Sequence, residues 1–144
     1  MYTIRTFKKE DFLVYQAWFK DPAIHRALGH VDEAWLTYVL ADETGVEYVM
    51  EREGQLMGVA GISFANEQNP FYVITNLAVN PGYAGRGIGS LFLKEITTRI
   101  PLEQHQYWVT FVETFNEPAQ RFFIKNDWTQ THREDEMIRY EKRL

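Results

Sequence analysis

The sequence predicts a mixed α+β fold: one central mixed sheet of about six to seven strands with helices on both faces. Three observations predict it. Runs with strand-like alternation and runs with helical periodicity succeed one another along the chain. Hydrophobic residues at 45% and charged residues at 24% match an ordinary globular domain. No repeat and no Gly/Ser/Pro-rich linker divides the 144 residues, so residues 1–144 read as a single domain.

Tyr2 to Phe7 is a short opening strand. From Lys9 to Lys20, Phe12, Tyr15 and Phe19 fall at helical spacing. Asp21-Pro22 then supplies a cap and a first-turn proline for a second helix that stops near Gly29. Asp32 caps a third helix, with Trp35, Leu36, Val39 and Leu40 on one face, ending before Gly45. Glu47–Glu51 and Leu56–Ile62 are strands joined by a hairpin turn at Glu53-Gly54, and Phe71–Val79 is a further strand. Ile88, Leu91, Phe92, Ile96 and Ile100 carry helical periodicity up to Pro101. Tyr107–Glu113 is rich in aromatic and β-branched residues and reads as a strand. Asn116-Glu117-Pro118-Ala119 has the chemistry of a helix start, and Asn126-Asp127 tolerates the left-handed conformation that ends one. Trp128–Thr131 and Met137–Arg143 close the chain as strands around the polar turn 132–136.

Composition removes several function classes. With no Cys there is no disulfide framework, thiolate metal site or Cys nucleophile, which points to a reducing, cytoplasmic setting. The formal charge is -5 and no Lys/Arg-rich run exists, so nucleic acid is not an expected partner. The first nine residues lack an apolar h-region and no apolar run approaches the ~20 residues of a membrane span, so no membrane partner is expected. His25, His30, His105 and His132 show no metal-ligand spacing, and none is expected to hold a metal. Ser63 in Gly61-Ile62-Ser63-Phe64-Ala65 lacks the final glycine of a nucleophile elbow. Trp18, Phe19, Trp35 and Tyr38 sit at core-like spacing.

The chemistry gathers at Pro81-Gly82-Tyr83-Ala84-Gly85-Arg86-Gly87-Ile88-Gly89-Ser90, between a strand and a helix. A glycine-rich loop in that position aims free amides and the positive end of the helix dipole at an anion. A nucleotide P-loop is excluded because Ile88-Gly89 stands where Lys-Ser/Thr is needed. A dinucleotide fingerprint is excluded because the third glycine of Gly85-Arg86-Gly87-Ile88-Gly89-Ser90 comes one place early. What remains is G-x-G-x-G after the Leu77-Ala78-Val79 strand, followed by an Asn116-x-x-Ala119 helix with paired Phe122 and Phe123. In these two segments the chain resembles the GNAT family of coenzyme A-dependent N-acyltransferases.

The resemblance implies a sheet splayed open between Phe71–Val79 and Tyr107–Glu113, with acetyl-CoA in the cleft. It implies that the backbone of Leu77, Ala78 and Val79 meets the pantetheine arm. Ala84, Gly85, Arg86, Gly87, Ile88, Gly89 and Ser90 would hold the pyrophosphate, with Gly85, Gly87 and Gly89 letting backbone approach it. Asn116, Ala119, Phe122 and Phe123 would flank the arm. Two positions depart from the family pattern: Ala84 replaces a Gln/Arg, and Phe123 stands where a Tyr often protonates the departing thiolate. Thr75 and Asn76 stand where relatives often place a basic carboxylate, which leaves Glu113 and then Glu51 as general-base candidates. His25 and His30 lie where the family binds its acceptor and are candidate substrate contacts. The expected activity is direct acetyl transfer from acetyl-CoA to a primary amine of a small molecule or peptide. The alternative is a CoA-binding sensor or interaction module that has lost catalysis. Homodimer formation is left open.

Overall fold

The computed structural model describes residues 1–144. Its strands are β1 (Thr3–Thr6), β2 (Gly45–Arg52), β3 (Gln55–Ser63), β4 (Phe71–Val79), β5 (Tyr107–Glu113), β6 (Thr129–Arg133) and β7 (Met137–Lys142). Its helices are α1 (Phe12–Trp18), α2 (Pro22–Leu28), α3 (Glu33–Ala41), α4 (Ile88–Arg99) and α5 (Glu117–Lys125). The strands form one seven-stranded sheet in the order β1-β2-β3-β4-β5-β7-β6. Every neighbouring pair is antiparallel except β4 and β5.

Each face of the sheet buries its own core. Val49, Val59 and Ala78 face α1, where Phe12, Tyr15 and Trp18 are buried and Leu28 and Trp35 close the margin from α2 and α3. On the opposite face Met50, Ala60, Trp108 and Ile138 meet Ile88, Phe92 and Ile96 of α4 and Phe123 of α5. The alternation of strand side chains between these faces is what period-two pleating requires. Gly58 lets α4 close on the sheet, because a Cβ there would sit 2.7 Å from the Phe92 ring.

The sheet divides between β4 and β5. Their parallel ladder runs only from Phe71↔Tyr107 to Ile74↔Thr110. On its other side β4 stays paired with β3 as far as Val79, but the register shifts so that Gly61 opposes Asn76 while Ile62 opposes Ile74. Thr75 is therefore the extra residue of a β-bulge, which bends β4 and increases its twist. The Thr110 hydroxyl, itself buried, donates to the Ile74 carbonyl at 2.9 Å and closes the ladder where the strands part.

The expected elements form with local differences. The run 9–20 divides into a 3-10 turn, Lys9–Asp11, followed by α1. Asp11 terminates the turn because its carboxylate accepts from the Lys8 amide and the Arg5 guanidinium. β2 starts at Gly45, two residues earlier than expected, since Gly45 pairs with Ser63. β6 begins one residue late and absorbs His132 and Arg133 from the expected turn. Tyr38, Leu40 and Leu91 are exposed rather than core residues. The hairpin turn forms as expected, with Glu53 at φ 51° and Gly54 at φ 79°. No helix is long and apolar enough to cross a membrane.

Thr110→Val removes the hydroxyl that satisfies the Ile74 carbonyl while keeping the side-chain shape. Denaturant unfolding should show a loss of about 1–3 kcal/mol. An unchanged midpoint would mean the carbonyl finds another partner.

Candidate functional site

Past Ile74, β4 has no partner on the β5 side, so its backbone donors and acceptors face an opening rather than a ladder. That opening is a cavity of about 520 Å³. Leu77 and Glu113 line it from the two strands, Asn116, Ala119, Phe122 and Phe123 from one side, and Ala27 and Leu28 of α2 from the other. Because α2 and α5 belong to opposite faces, the cavity runs through the plane of the sheet. Phe123 is 6% exposed and packs on Trp128 and Tyr140, so its ring is both cavity wall and core.

The glycine loop follows β4 directly. Asn80 anchors it, donating to the Leu56 carbonyl at 3.0 Å and accepting from the Gly82 amide at 2.9 Å. Tyr83 donates to Gln55 at 2.8 Å, and the Arg86 guanidinium stacks 5.3 Å from the Tyr83 ring. Gly85 and Gly87 both have φ 78°, a left-handed conformation that a side chain strains, and no atom stands within 4 Å of where a Cβ would be. α4 begins at Gly87 without a side-chain cap, and the amides from Gly85 to Ser90 have no acceptor within the chain. These free donors, open space and a helix dipole make a cradle for an oxyanion. The cradle and the adjoining splay fit a phosphate-bearing molecule with an amide-rich arm, as acetyl-CoA is.

Gly89 also has a packing task. A Cβ there would lie 3.1 Å from the Phe122 ring, so its small size lets the start of α4 close on α5. The same junction is tied by Asn126, whose amide donates to the Ser90 hydroxyl at 3.1 Å. Asn116 caps α5, accepting from the Ala119 amide at 3.3 Å. Ala84 is extended and leads into the loop without adding a side-chain donor.

On the α1/α3 side of the sheet the register aligns Glu47 of β2, Gly61 of β3 and Asn76 of β4 in one row. A side chain on Gly61 would collide with Asn76, Thr75 and Glu47, so the glycine leaves the space in which they meet. Across that space the Asn76 amide donates to Glu47 at 2.6 Å, and the Thr75 hydroxyl donates to the Asn76 oxygen at 3.1 Å. Tyr15 reaches the same cluster from α1; burial, then the Glu47 charge, hold its hydroxyl above the usual phenol range. Burial pushes the Glu47 carboxyl up to about 7, the bond from Asn76 acting in the opposite direction.

Glu47 opens onto a second cavity, of about 310 Å³, between α3 and the sheet. Thr75 and Asn76 line both cavities, so the bulge is where the two meet. Glu47 was not among the carboxylates expected from the sequence. The signal for it was Gly61, an interior strand glycine aligned with it in the register.

The other expected site residues are placed as follows. Glu113 lines the larger cavity at the end of β5. Glu51 lies at the far end of β2 and is held by Arg5 at 3.2 Å, away from both cavities. Arg5 also grips Asp11 at 2.8 Å, so this carboxylate belongs to a bridge between β1, β2 and the Lys9–Asp11 turn. His25 is exposed on α2, and exposed His30 stands 3.8 Å from Asp32; neither lines either cavity.

A mixed sheet splayed at a bulge, with an anion cradle at the end of the splayed strand, defines an acyltransferase architecture. The model of the acetyltransferase (GNAT) family matches residues 7–127, and the chain belongs to that family. Solved structures share the fold at low identity. The ribosomal-protein-S18-alanine N-acetyltransferase from Escherichia coli is 15% identical with a TM-score of 0.75, the match covering 98% of this chain and 92% of that one. An acetyltransferase from Thermus thermophilus is 13% identical with a TM-score of 0.83, covering 100% and 97%. An N-acetyltransferase from Staphylococcus aureus is 18% identical with a TM-score of 0.73, covering 99% and 98%. No curated protein sequence matches the chain.

A carboxyl whose pKa rises on folding favours the folded state below its unfolded value of 4.5, and that contribution is lost as pH rises through about 7. Glu47→Gln should therefore gain stability over the parent between pH 4.5 and about 8, by on the order of 1–3 kcal/mol. Thermal unfolding of both proteins across that range checks the sign. A difference that stays constant with pH would remove the buried-carboxyl assignment.

Proposed function

We propose that this protein is an acetyl-CoA-dependent N-acetyltransferase that transfers the acetyl group directly to a primary amine. The observation carrying the proposal is the meeting of two cavities at Thr75 and Asn76, with the Glu47 carboxyl bonded to Asn76 at 2.6 Å. The larger cavity flanks β4, the strand that runs on into the glycine loop, and the smaller is open for an acceptor.

Acetyl-CoA supplies an activated thioester when bound. The loop amides from Gly85 to Ser90 would hold its pyrophosphate, and the backbone groups of Leu77 to Val79 that face away from β3 would take up the pantetheine arm. Phe122 and Phe123 wall the arm and exclude water. Glu47 accepts the proton of the arriving ammonium at its carboxylate oxygen, and a base near pKa 7 is matched to that task at neutral pH. Attack of the neutral nitrogen on the thioester carbonyl would form the C–N bond and break the C–S bond, the second nitrogen proton passing to the departing sulfur or to water. Phe123 has no proton to offer, and a sulfur whose thiol pKa is ~8.5 leaves as thiolate without one. Asn76 is a positioning residue that fixes the Glu47 carboxyl, and Gly61 keeps room for both. Glu113, at the mouth of the splay, is the second base candidate.

Acetyl-CoA should raise the unfolding temperature, with about 2.7 kcal/mol of stabilisation at a hundredfold excess over Kd. Free thiol should then appear on addition of a primary amine, with kcat/KM falling as pH drops below about 7. Glu47→Gln should lower kcat/KM by ~10²–10⁴-fold and remove that acid limb, while stabilisation by acetyl-CoA persists. Absence of any acetyl-CoA stabilisation would overturn the proposal. Stabilisation without thiol release across an amine series would leave a CoA-binding module in its place.

A further inference from the structure

The smaller cavity has a chemistry of its own. Glu47 stands at one end, Asp42 at another, and no Lys, Arg or His lines it. Asp42 divides its two oxygens between two tasks. Oδ1 accepts from the Thr44 amide at 2.9 Å and the Thr44 hydroxyl at 2.7 Å, fixing the turn between α3 and β2. Oδ2 lies over Gly45, 3.2 Å from where a Cβ would stand, with the Tyr38 hydroxyl beside the same carboxyl. The bonds from Thr44 hold this carboxyl below the usual carboxylate range, so it remains charged beside Glu47.

Gly45 precedes Glu47 by two residues on β2, which sets the two anionic positions on the order of 7 Å apart. Between them Trp35 and the exposed Tyr38 form an aromatic wall. Such rings cover an alkyl chain and also attract a cation to their faces. The volume, about 310 Å³, falls at the lower end of ligand cavities and suits a small molecule rather than a folded partner.

Resting on the acyl-transfer reading above, we propose that the acceptor is a small aliphatic diamine. Its reacting nitrogen lies at Glu47 and its second ammonium at Asp42 Oδ2, with the alkyl spacer against Trp35 and Tyr38. An extended 1,4-diaminobutane has this span. The same arrangement disfavours an acceptor that carries a carboxylate at its far end, because that group would meet Asp42 with no cation to offset it.

The test is a set of three acceptors built on the same four-carbon chain that differ in terminal charge: 1,4-diaminobutane, butylamine and 4-aminobutanoate. Steady-state thiol release should rank their kcat/KM in that order, with each step about two- to fivefold, the range of an exposed ion pair. Asp42→Asn retains the Oδ1 acceptor for Thr44 and should bring the three values within about threefold of one another. Added salt should compress the parental ranking in the same direction.

A flat or reversed ranking with thiol release intact would overturn the diamine assignment and leave the acyltransferase reading standing. If acetyl-CoA binds without turnover, calorimetry of the same three amines against the CoA-loaded protein decides. Tighter diamine binding that Asp42→Asn abolishes supports the assignment, and equal or absent diamine binding overturns it. Failure of acetyl-CoA itself to bind would overturn the acyltransferase reading, and the diamine assignment that rests on it would go too.

Discussion

The ladder between β4 and β5 ends at Ile74 and Thr110 because Thr75 is surplus to the pairing of β4 with β3. A bulge bends its strand and disrupts the local ladder, one way in which pairing is terminated. Here the antiparallel side is retained to Val79, and the parallel side opens. The Thr110 hydroxyl satisfies the last paired carbonyl, so the strands part without leaving a buried acceptor exposed to apolar surroundings. The features of the cleft follow from that break. It opens the larger cavity, leaves β4 with free backbone groups and brings Asn76 to the junction of both cavities.

The same bulge sets the electrostatics. Asn76 lies beside the extra residue, and its carboxamide has two ends with different partners: the oxygen takes the Thr75 hydroxyl and the nitrogen holds Glu47. The cluster lies under α1, where Phe7, Trp18 and Phe19 surround Tyr15 in edge-to-face contacts and exclude water. Desolvation without a cationic partner raises a carboxyl pKa, whereas a nearby guanidinium opposes that rise. Glu47 is such a carboxyl, with no cation beside it, whereas Arg5 grips Glu51 further along the same strand.

The geometry of the glycine loop was legible in the sequence because its determinants are local. A strand, a glycine cluster and a helix start follow one another without interruption from Phe71 to Ser90, and φ 78° at Gly85 and Gly87 is a demand that the sequence answers directly. The Asn116 cap with its proline is local in the same way. Gly89 shows the limit, since its partner Phe122 comes from another helix and the glycine serves packing. Glu47 was illegible for a stronger reason. Its environment requires three strands in register, with a bulge in the third, and only the alignment Glu47↔Gly61↔Asn76 brings its carboxyl to the cleft. Glu51, an equally plain strand glutamate, pairs with Arg5 of β1, a contact that periodicity does not reveal.

Acetyl-CoA should occupy the amides that the fold leaves without partners. Hydrogen–deuterium exchange with and without acetyl-CoA, resolved by residue, tests this most directly. Slowed exchange should be confined to β4 from Thr75 to Val79, the loop and first turn from Ala84 to Ser90, and the start of α5 near Asn116 to Phe123. Uniform protection, or protection centred on β6 and β7, would contradict the placement of the cofactor in the splay.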